Sequence, residues 1–338
     1  MEKLKRLLKR KELWAVVGLL LILLFNLIFS PNFFKLSINN GHLYGSMIDV
    51  LNRGASLVIV SIGMCLVIAT RGIDISVGSV NALGAMVAAY LLTIGTPVVA
   101  AIAAGLIVGC LCGIWNGFLV AKLNIQPMIA TLILMTVGRG FAQIISGGEI
   151  LTLGKTSYSF IGRGYFLGIP FPAILMGLIV LGVYLLTRKT SLGLSIESVG
   201  INEQSARYAG INTRQVLWIC YIICGVLAAL SGMMDSANVS SADGNNNGLM
   251  LELDAILAVV LGGTSMDGGK FYLGGTVVGA LFIQTLTTTI FTFGIPSETI
   301  MVVKAIVVIF VVLLSSEKMK EWSTAMKQKR KTGVSIEN

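Results

Sequence analysis

The sequence predicts an all-α polytopic membrane protein of about ten transmembrane helices, with a short helix in one cytoplasmic loop. Three observations carry this. The mean hydropathy is +0.86 and 12% of the 338 residues are charged, where a soluble domain carries about a quarter. Apolar blocks suited to a bilayer alternate with polar connections along nearly the whole chain. The net charge of +9 gathers at the two ends and in one internal stretch, so it does not describe a nucleic-acid-binding surface.

The elements follow in order. Residues 1–12 form a basic segment with Lys3, Lys5, Arg6, Lys9, Arg10 and Lys11. The first apolar block, 13–29, has Asn26 as its one strongly polar residue and continues without a convincing small-residue cleavage site. It reads as a retained helix rather than a signal peptide. An outer loop follows, and the second block, 48–70, carries Asp49, Asn52 and Arg53 in its early turns. RGIDISVGS, 71–79, interrupts before a third block reaching Thr93. A tight turn at Gly95 to Pro97 leads into the fourth block, 98–120, and Lys122 and Asn124 close the next turn on the inner side.

The fifth block, 125–146, contains Arg139 between two glycines, and an outer loop, 147–170, leads to the sixth, 171–187. The seventh block is 216–234. After a polar outer stretch come a short eighth block at 252–263, an inner turn GGTSMDGGK, a ninth block at 272–293 and a tenth at 299–314. A transmembrane domain of 13–315 is thus followed by a tail, 316–338, with Lys318, Lys320, Lys327, Lys329, Arg330 and Lys331. Basic residues favour the cytoplasmic side, so both termini are expected there, near anionic lipid, and ten spans satisfy the parity.

Between the sixth and seventh blocks lies the most charged interval, 188–214, with Arg188, Lys189, Arg207 and Arg214 against Glu197 and Glu203. A segment that polar leaves the hydrocarbon, and its basic excess places it in the cytoplasm. Asn202 can cap a helix beginning at Glu203, whose carboxylate favours the positive helix end, and Gly210 can end it after about two turns. Ala206, Ala209 and Gly210 are small enough for another backbone to approach. Gln204, Arg207 and Tyr208 offer polar and aromatic contacts, and Ser205 and Ile211 complete the segment. Two readings stand: a solvated loop with a capped turn, and a docking knob for a cytoplasmic partner.

Within the spans, Gly105, Gly109, Gly113 and Gly117 recur every four residues on one helix face, a close-packing pattern. Charges there cost about 2.5–3.5 kcal/mol each on insertion scales, so each needs a partner, a water-filled cavity or a short route out. Asp74 sits beside Gly72 and Gly78 at the interruption, and Asp254 in the short eighth block. Interrupted segments in the two halves of a transporter point to a pathway between them. The alternative is that both carboxylates cap helix starts and pair with Arg71 or Arg139. Asp49, Arg53, Arg139 and Lys304 can pair inside the bundle, and Asn81, Asn116, Gln126, Gln143 and Gln284 can face a polar lumen.

Little in the sequence points to catalytic chemistry. Cys65, Cys110, Cys112, Cys220 and Cys224 all lie in apolar blocks and His42, the single histidine, is far along the chain from them, so neither a disulfide framework nor a metal site is expected. GGEILTLGKT, 147–156, has five residues where a phosphate loop requires four, and falls on the outer face; GGTSMDGGK lacks the following Ser or Thr. No catalytic residues are assigned, and active transport would draw its energy from another subunit.

These features together resemble a known family, the inner-membrane permease subunits of bacterial sugar ABC importers of the ribose, xylose and galactose group. GIDISVGS (72–79), VGINEQSARYAGI (199–211) and LDAILAVVLGGTSMDGG (253–269) carry the resemblance, which extends over about 13–314. SMIDVLNRGA (46–55), IQPMIATLILMTVGRGFAQ (125–143) and NNNGLMLELDAILAVV (245–260) are more like the galactofuranose permeases than the ribose ones. The resemblance implies a multi-pass subunit in the bacterial inner membrane that binds no cofactor itself. Its implied partners are a cytoplasmic ATPase holding ATP and magnesium, a periplasmic sugar-binding protein, and a second permease, either a different chain or a copy. The family's coupling helix falls here on Asn202–Ile211, whereas Asp74, Asn81 and Asp254 as pathway residues are a reading of the sequence alone. Two other classes remain: an ion-coupled carrier or channel using Asp74, Asp254 and Lys304, and a membrane enzyme acting on a lipid-linked sugar.

Overall fold

The computed structural model describes residues 12–39, 42–154, 156–296, 299–300, 302–307 and 309. Nearly all of both basic tails and part of the tenth expected block lie outside the described residues. Within them the chain is mostly helical. Helices α1 (Glu12–Phe29), α2 (Ser46–Ala69), α3 (Val77–Thr93), α4 (Val98–Ala121) and α5 (Pro127–Ser146) fall on the first five expected blocks. After a single turn, α6 (Phe160–Arg163), comes α7 (Phe171–Lys189) on the sixth. Next are two short helices, α8 (Leu192–Ile201) and α9 (Glu203–Tyr208). Last come α10 (Thr213–Val239), α11 (Leu251–Leu261) and α12 (Leu273–Thr292), on the seventh to ninth blocks. Six of these, α2, α4, α5, α7, α10 and α12, are long and apolar enough to cross a membrane.

Local chemistry sets the ends. Pro127 occupies the first turn of α5, where its missing N–H costs nothing, and Gly147 closes that helix at φ 66°. Asn212 caps α10 by accepting from the Gln215 N–H at 3.3 Å. The helix then runs to Val239, well past the expected limit at Met234, and carries Asp235 into the bundle.

Helix α10 is the axis of the bundle, flanked by α2, α3 and α4. The four-residue glycine stripe of α4 lies against it: a Cβ on Gly109 would press on Ala229 and the Gly225 carbonyl oxygen, and one on Gly113 would press on Tyr221 and Ile222. Absent side chains let the two backbones touch, as the spacing predicts. Helix α2 is buried from Gly54 to Ala69. By contrast α5 shows Met128, Ile129, Leu132, Ile133, Val137 and Phe141 on its outside, an apolar face suited to lipid.

At one end of the bundle three two-stranded sheets form from segments read in the sequence only as outer loops. β1 (Ser37–Asn39) pairs with β2 (His42–Tyr44); β3 (Leu151–Thr152) pairs with β6 (Ser241–Ala242), following α10; and β4 (Tyr165–Phe166) pairs with β5 (Ile169–Pro170). At the opposite end lie α8, α9 and the turns at 70–76 and 262–272. There the Gly269 N–H donates to the Ala69 carbonyl at 2.8 Å.

The interval 188–214 differs from the expected loop with a single helix. Helix α8 buries Gly193, Ile196, Val199 and Gly200, an i, i+3, i+4 apolar stripe that draws the segment onto the bundle. Gly200 has no room for a Cβ, which would meet the Ala69 carbonyl oxygen. The projecting part therefore shrinks to α9 and its flanks.

Candidate functional site

The end of the bundle that bears α8 and α9, the inner one on the sequence expectation, carries the expected capped helix. Asn202 is extended (φ −159°, ψ 108°) and its Oδ1 accepts from the Ser205 N–H at 2.9 Å, as its place before a Glu-led turn predicts. Glu203 Oε1 accepts from Arg207 at 3.3 Å and from the Thr213 hydroxyl at 3.1 Å. Gly210 ends the segment at φ 84°, and the Ile211 N–H reaches back to the Ala206 carbonyl at 3.0 Å. Gln204, Ser205, Arg207, Ala209 and Gly210 are exposed and Tyr208 is 90% exposed, whereas Ala206 is buried at 4%. Ala206 thus faces the bundle and offers no approach for another backbone, a correction to its expected place on the outward face. The outward surface is built from Gln204, Arg207, Tyr208 and the Ala209–Gly210 pair.

Arg71 fastens this helix to the rest. Held at φ 65° after α2, it donates from Nε to the Asp267 carbonyl and from a terminal nitrogen to the Ile201 carbonyl, both at 2.8 Å. The guanidinium fork therefore joins three inner segments, one of which ends at the cap of α9. It pairs with neither Asp74 nor Asp254.

Asp74 is 2% exposed. Its Oδ1 accepts from the Ser76 N–H at 3.0 Å, the Ser76 hydroxyl at 2.5 Å and Asn116 Nδ2 at 3.4 Å. This is a local turn that starts α3, satisfied by Ser76 within the turn and by Asn116 reaching across from α4. Asn116, read as a lumen candidate, belongs to that knot. Arg139, the other expected partner of the carboxylates, donates to the carbonyls of Gly244 at 3.2 Å and Asn247 at 2.6 Å, holding the outer loop after β6. Gln143 does similar work, donating to Asn245 Oδ1.

Between the ends of α2, α10, α11 and α12 that lie away from α9, the outer ends on the sequence expectation, is a cavity of about 630 Å³ with both polar and apolar walls. Asp49 and Arg53 of α2, Asp235 of α10, Asp254 of α11, and Gln284 and Phe291 of α12 face it. Asp254 accepts from Lys304 Nζ at 2.7 Å, which ties α11 to the helical stretch 302–307. Asn81 reaches the cavity through a neighbour: its Nδ2 donates to Asp235 Oδ2 and to the Ser231 hydroxyl, each at 3.1 Å, and Ser231 bonds Ser56 at 2.7 Å. The three residues expected along a pathway are therefore split. Asp254 lines the cavity, Asn81 supports its wall, and Asp74 lies in the turn at the inner end. The side chains of Asp49 and Arg53, read as able to pair inside the bundle, have no hydrogen-bond or ion-pair partner among the described residues. Asp235 was not singled out by the sequence, because the polar run after Met234 resembles a loop.

Comparison with known proteins adds the family. The model for "Branched-chain amino acid transport system / permease component" matches residues 46–312. The galactofuranose transporter permease protein YtfT of Escherichia coli (strain K12) is 45% identical over 329 residues, covering 96% of each chain. The fructose import permease protein FruF of Bifidobacterium longum (strain NCC 2705) is 40% identical over 332 residues, 96% of this chain and 93% of its own. The ribose import permease protein RbsC of Escherichia coli (strain K12) is 38% identical over 308 residues, 90% of this chain and 93% of its own. A helical, multi-pass chain matched almost end to end by transport permeases thus belongs to the branched-chain amino acid transport system permease component family.

Proposed function

We propose that this chain is the membrane-spanning permease subunit of an ATP-driven ABC importer that carries a monosaccharide, galactofuranose or a related galactose or pentose sugar, across the bacterial cytoplasmic membrane. The observation that carries the reading is the end-to-end likeness to sugar import permeases, with 45% identity to the galactofuranose one. The chain crosses ten times with both termini in the cytoplasm, a count supported by the basic tails and the sidedness of the polar loops. Its partners are a cytoplasmic ATPase that binds ATP and magnesium, a periplasmic sugar-binding protein and a second permease chain.

The inner-end geometry suits a mechanical role. A capped helix with an exposed Tyr208 and Arg207 is a small convex knob, and Arg71 anchors its base. Closure of an ATPase dimer gripping two such knobs would move α8 and α9 as one piece with the turns at 71–76 and 264–269. Asp254 stands at the opposite end, at the mouth of the pathway, with Asn81 bracing the cavity wall from behind, while Asp74 serves as the pivot between α2 and α3.

Co-reconstitution in proteoliposomes with the ATPase and binding protein tests this. Sugar uptake should require ATP, and Arg207→Glu or Gly210→Trp should abolish sugar-stimulated ATP hydrolysis while the chain still inserts. Uptake by this chain alone without ATP would sink the importer reading. It would favour an ion-coupled carrier, for which the Lys304–Asp254 pair beside a polar cavity is the supporting observation.

A further inference from the structure

The outer cavity is more than a passage in its chemistry. A volume of about 630 Å³ falls within the range of small-molecule sites, about 300–1,000 Å³. Its wall mixes groups of both signs. Among the described residues, Asp254 is neutralised by Lys304, whereas the carboxylates of Asp49 and Asp235 and the guanidinium of Arg53 have no opposite charge within ion-pair distance. Asp49 and Arg53 stand one helical turn apart, i and i+4, yet form no ion pair with each other. Charges left without an opposite charge on a cavity wall in a membrane protein are costly unless water or a solute satisfies them.

Each group suits a hydroxyl. Carboxylates accept from it, while the Arg53 guanidinium and the Gln284 amide donate to it. Phe291 adds an apolar ring to the same wall. An anion would meet Asp49 and Asp235 and a cation would meet Arg53, whereas a neutral polyhydroxylated ring can satisfy both signs at once. Asn81 and Ser231 hold the Asp235 region from behind, so the deepest carboxylate is fixed before any solute arrives.

We infer that this cavity is a saturable site for a neutral monosaccharide, so that the permease itself selects its cargo after the binding protein releases it. The inference rests on the importer reading and deepens it. Asp235 and Arg53 are the main hydrogen-bonding groups, with Phe291 as the apolar face.

The test uses the full chain in lipid nanodiscs, without ATPase or binding protein, and saturation-transfer NMR with D-galactose as probe. Binding should saturate, D-galacturonate should compete poorly, and Asp235→Ala or Arg53→Gln should each weaken binding on the order of tenfold, as expected for a lost bond to a charged group. Because Asp235→Ala can disturb folding, a second readout leaves the charged wall intact: Thr288→Cys, on the cavity wall, should react with a membrane-impermeant maleimide more slowly in D-galactose. Non-saturating signals, unchanged affinity in Arg53→Gln, or equal protection by galacturonate would overturn the site. If those results came with intact ATP-dependent import by the assembled complex, the importer reading would stand without the site. If the wild-type complex failed to import with ATP, both would fall.

Discussion

Arg71 and Ile201, 130 residues apart in the chain, are joined at 2.8 Å, guanidinium to carbonyl. The acceptor is the residue before the Asn202 cap, and the same guanidinium holds the Asp267 carbonyl. Arg71→Ala removes both charge-assisted bonds, each typically about 1.5–3 kcal/mol before discounting for exposure. Sugar-stimulated ATP hydrolysis by the reconstituted complex should fall about tenfold, with import falling further because hydrolysis and movement lose step. Arg71→Lys keeps the charge but lacks the two-pronged fork, and should recover only part of the coupling.

The cap itself gives a finer test. Asn202→Ala leaves the Ser205 N–H without its acceptor and should cost about 1 kcal/mol in helix stability, whereas Asn202→Asp should retain most of it. Gly210→Ala forces a Cβ onto φ 84° and should cost about 1 kcal/mol through backbone strain alone, since the added methyl would meet nothing within 4 Å. Limited proteolysis at 202–211 should report both as faster cleavage, with Asn202→Asp near the wild type.

The Lys304–Asp254 pair is held between two half-buried side chains at 17% and 23% exposure. Asp254→Ala strands the ammonium and Lys304→Met strands the carboxylate, and each should lower stability by about 2 kcal/mol. The double variant should lie closer to the wild type than either single one, because neither charge remains. A thermal-shift series on detergent-purified protein reads this directly, and additive losses would show that the two groups do not interact.

Glycine packing provides a contrast within adjacent helices. Gly109→Val drives a branched side chain into Ala229 and the Gly225 carbonyl, and should cost at least about 3 kcal/mol or prevent accumulation in the membrane. Gly140→Val on α5 meets open space, so expression and melting temperature should stay near wild-type values.

These sites differed in how far they could be read before the structure was known. The Asn202 cap was legible because a polar cap, an acidic first turn and a closing glycine follow one another locally. The burial of α8 was written in the spacing of Ile196, Val199 and Gly200, but the charges of Arg188, Glu197 and Glu203 around it pointed toward solvent. The partners of Arg71 and Arg139 left no trace, since both arginines bind backbone carbonyls that every residue possesses. Asp235 was hidden by the polar run that follows it. Asp74 was recognisable as a carboxylate in the wrong medium, yet only its bonds with Ser76 and Asn116 identify it as part of a turn.

The central claim is that α9 faces the cytoplasm and is gripped there by an ATPase. Tyr208→Cys, at a position of that helix that is 90% exposed, offers the most direct measurement: labelling by a membrane-impermeant maleimide in right-side-out and inside-out vesicles, with and without the ATPase subunit. The account predicts reaction only in inside-out vesicles and protection when the ATPase is added. Reaction in right-side-out vesicles, or unchanged labelling with the ATPase bound, would contradict it.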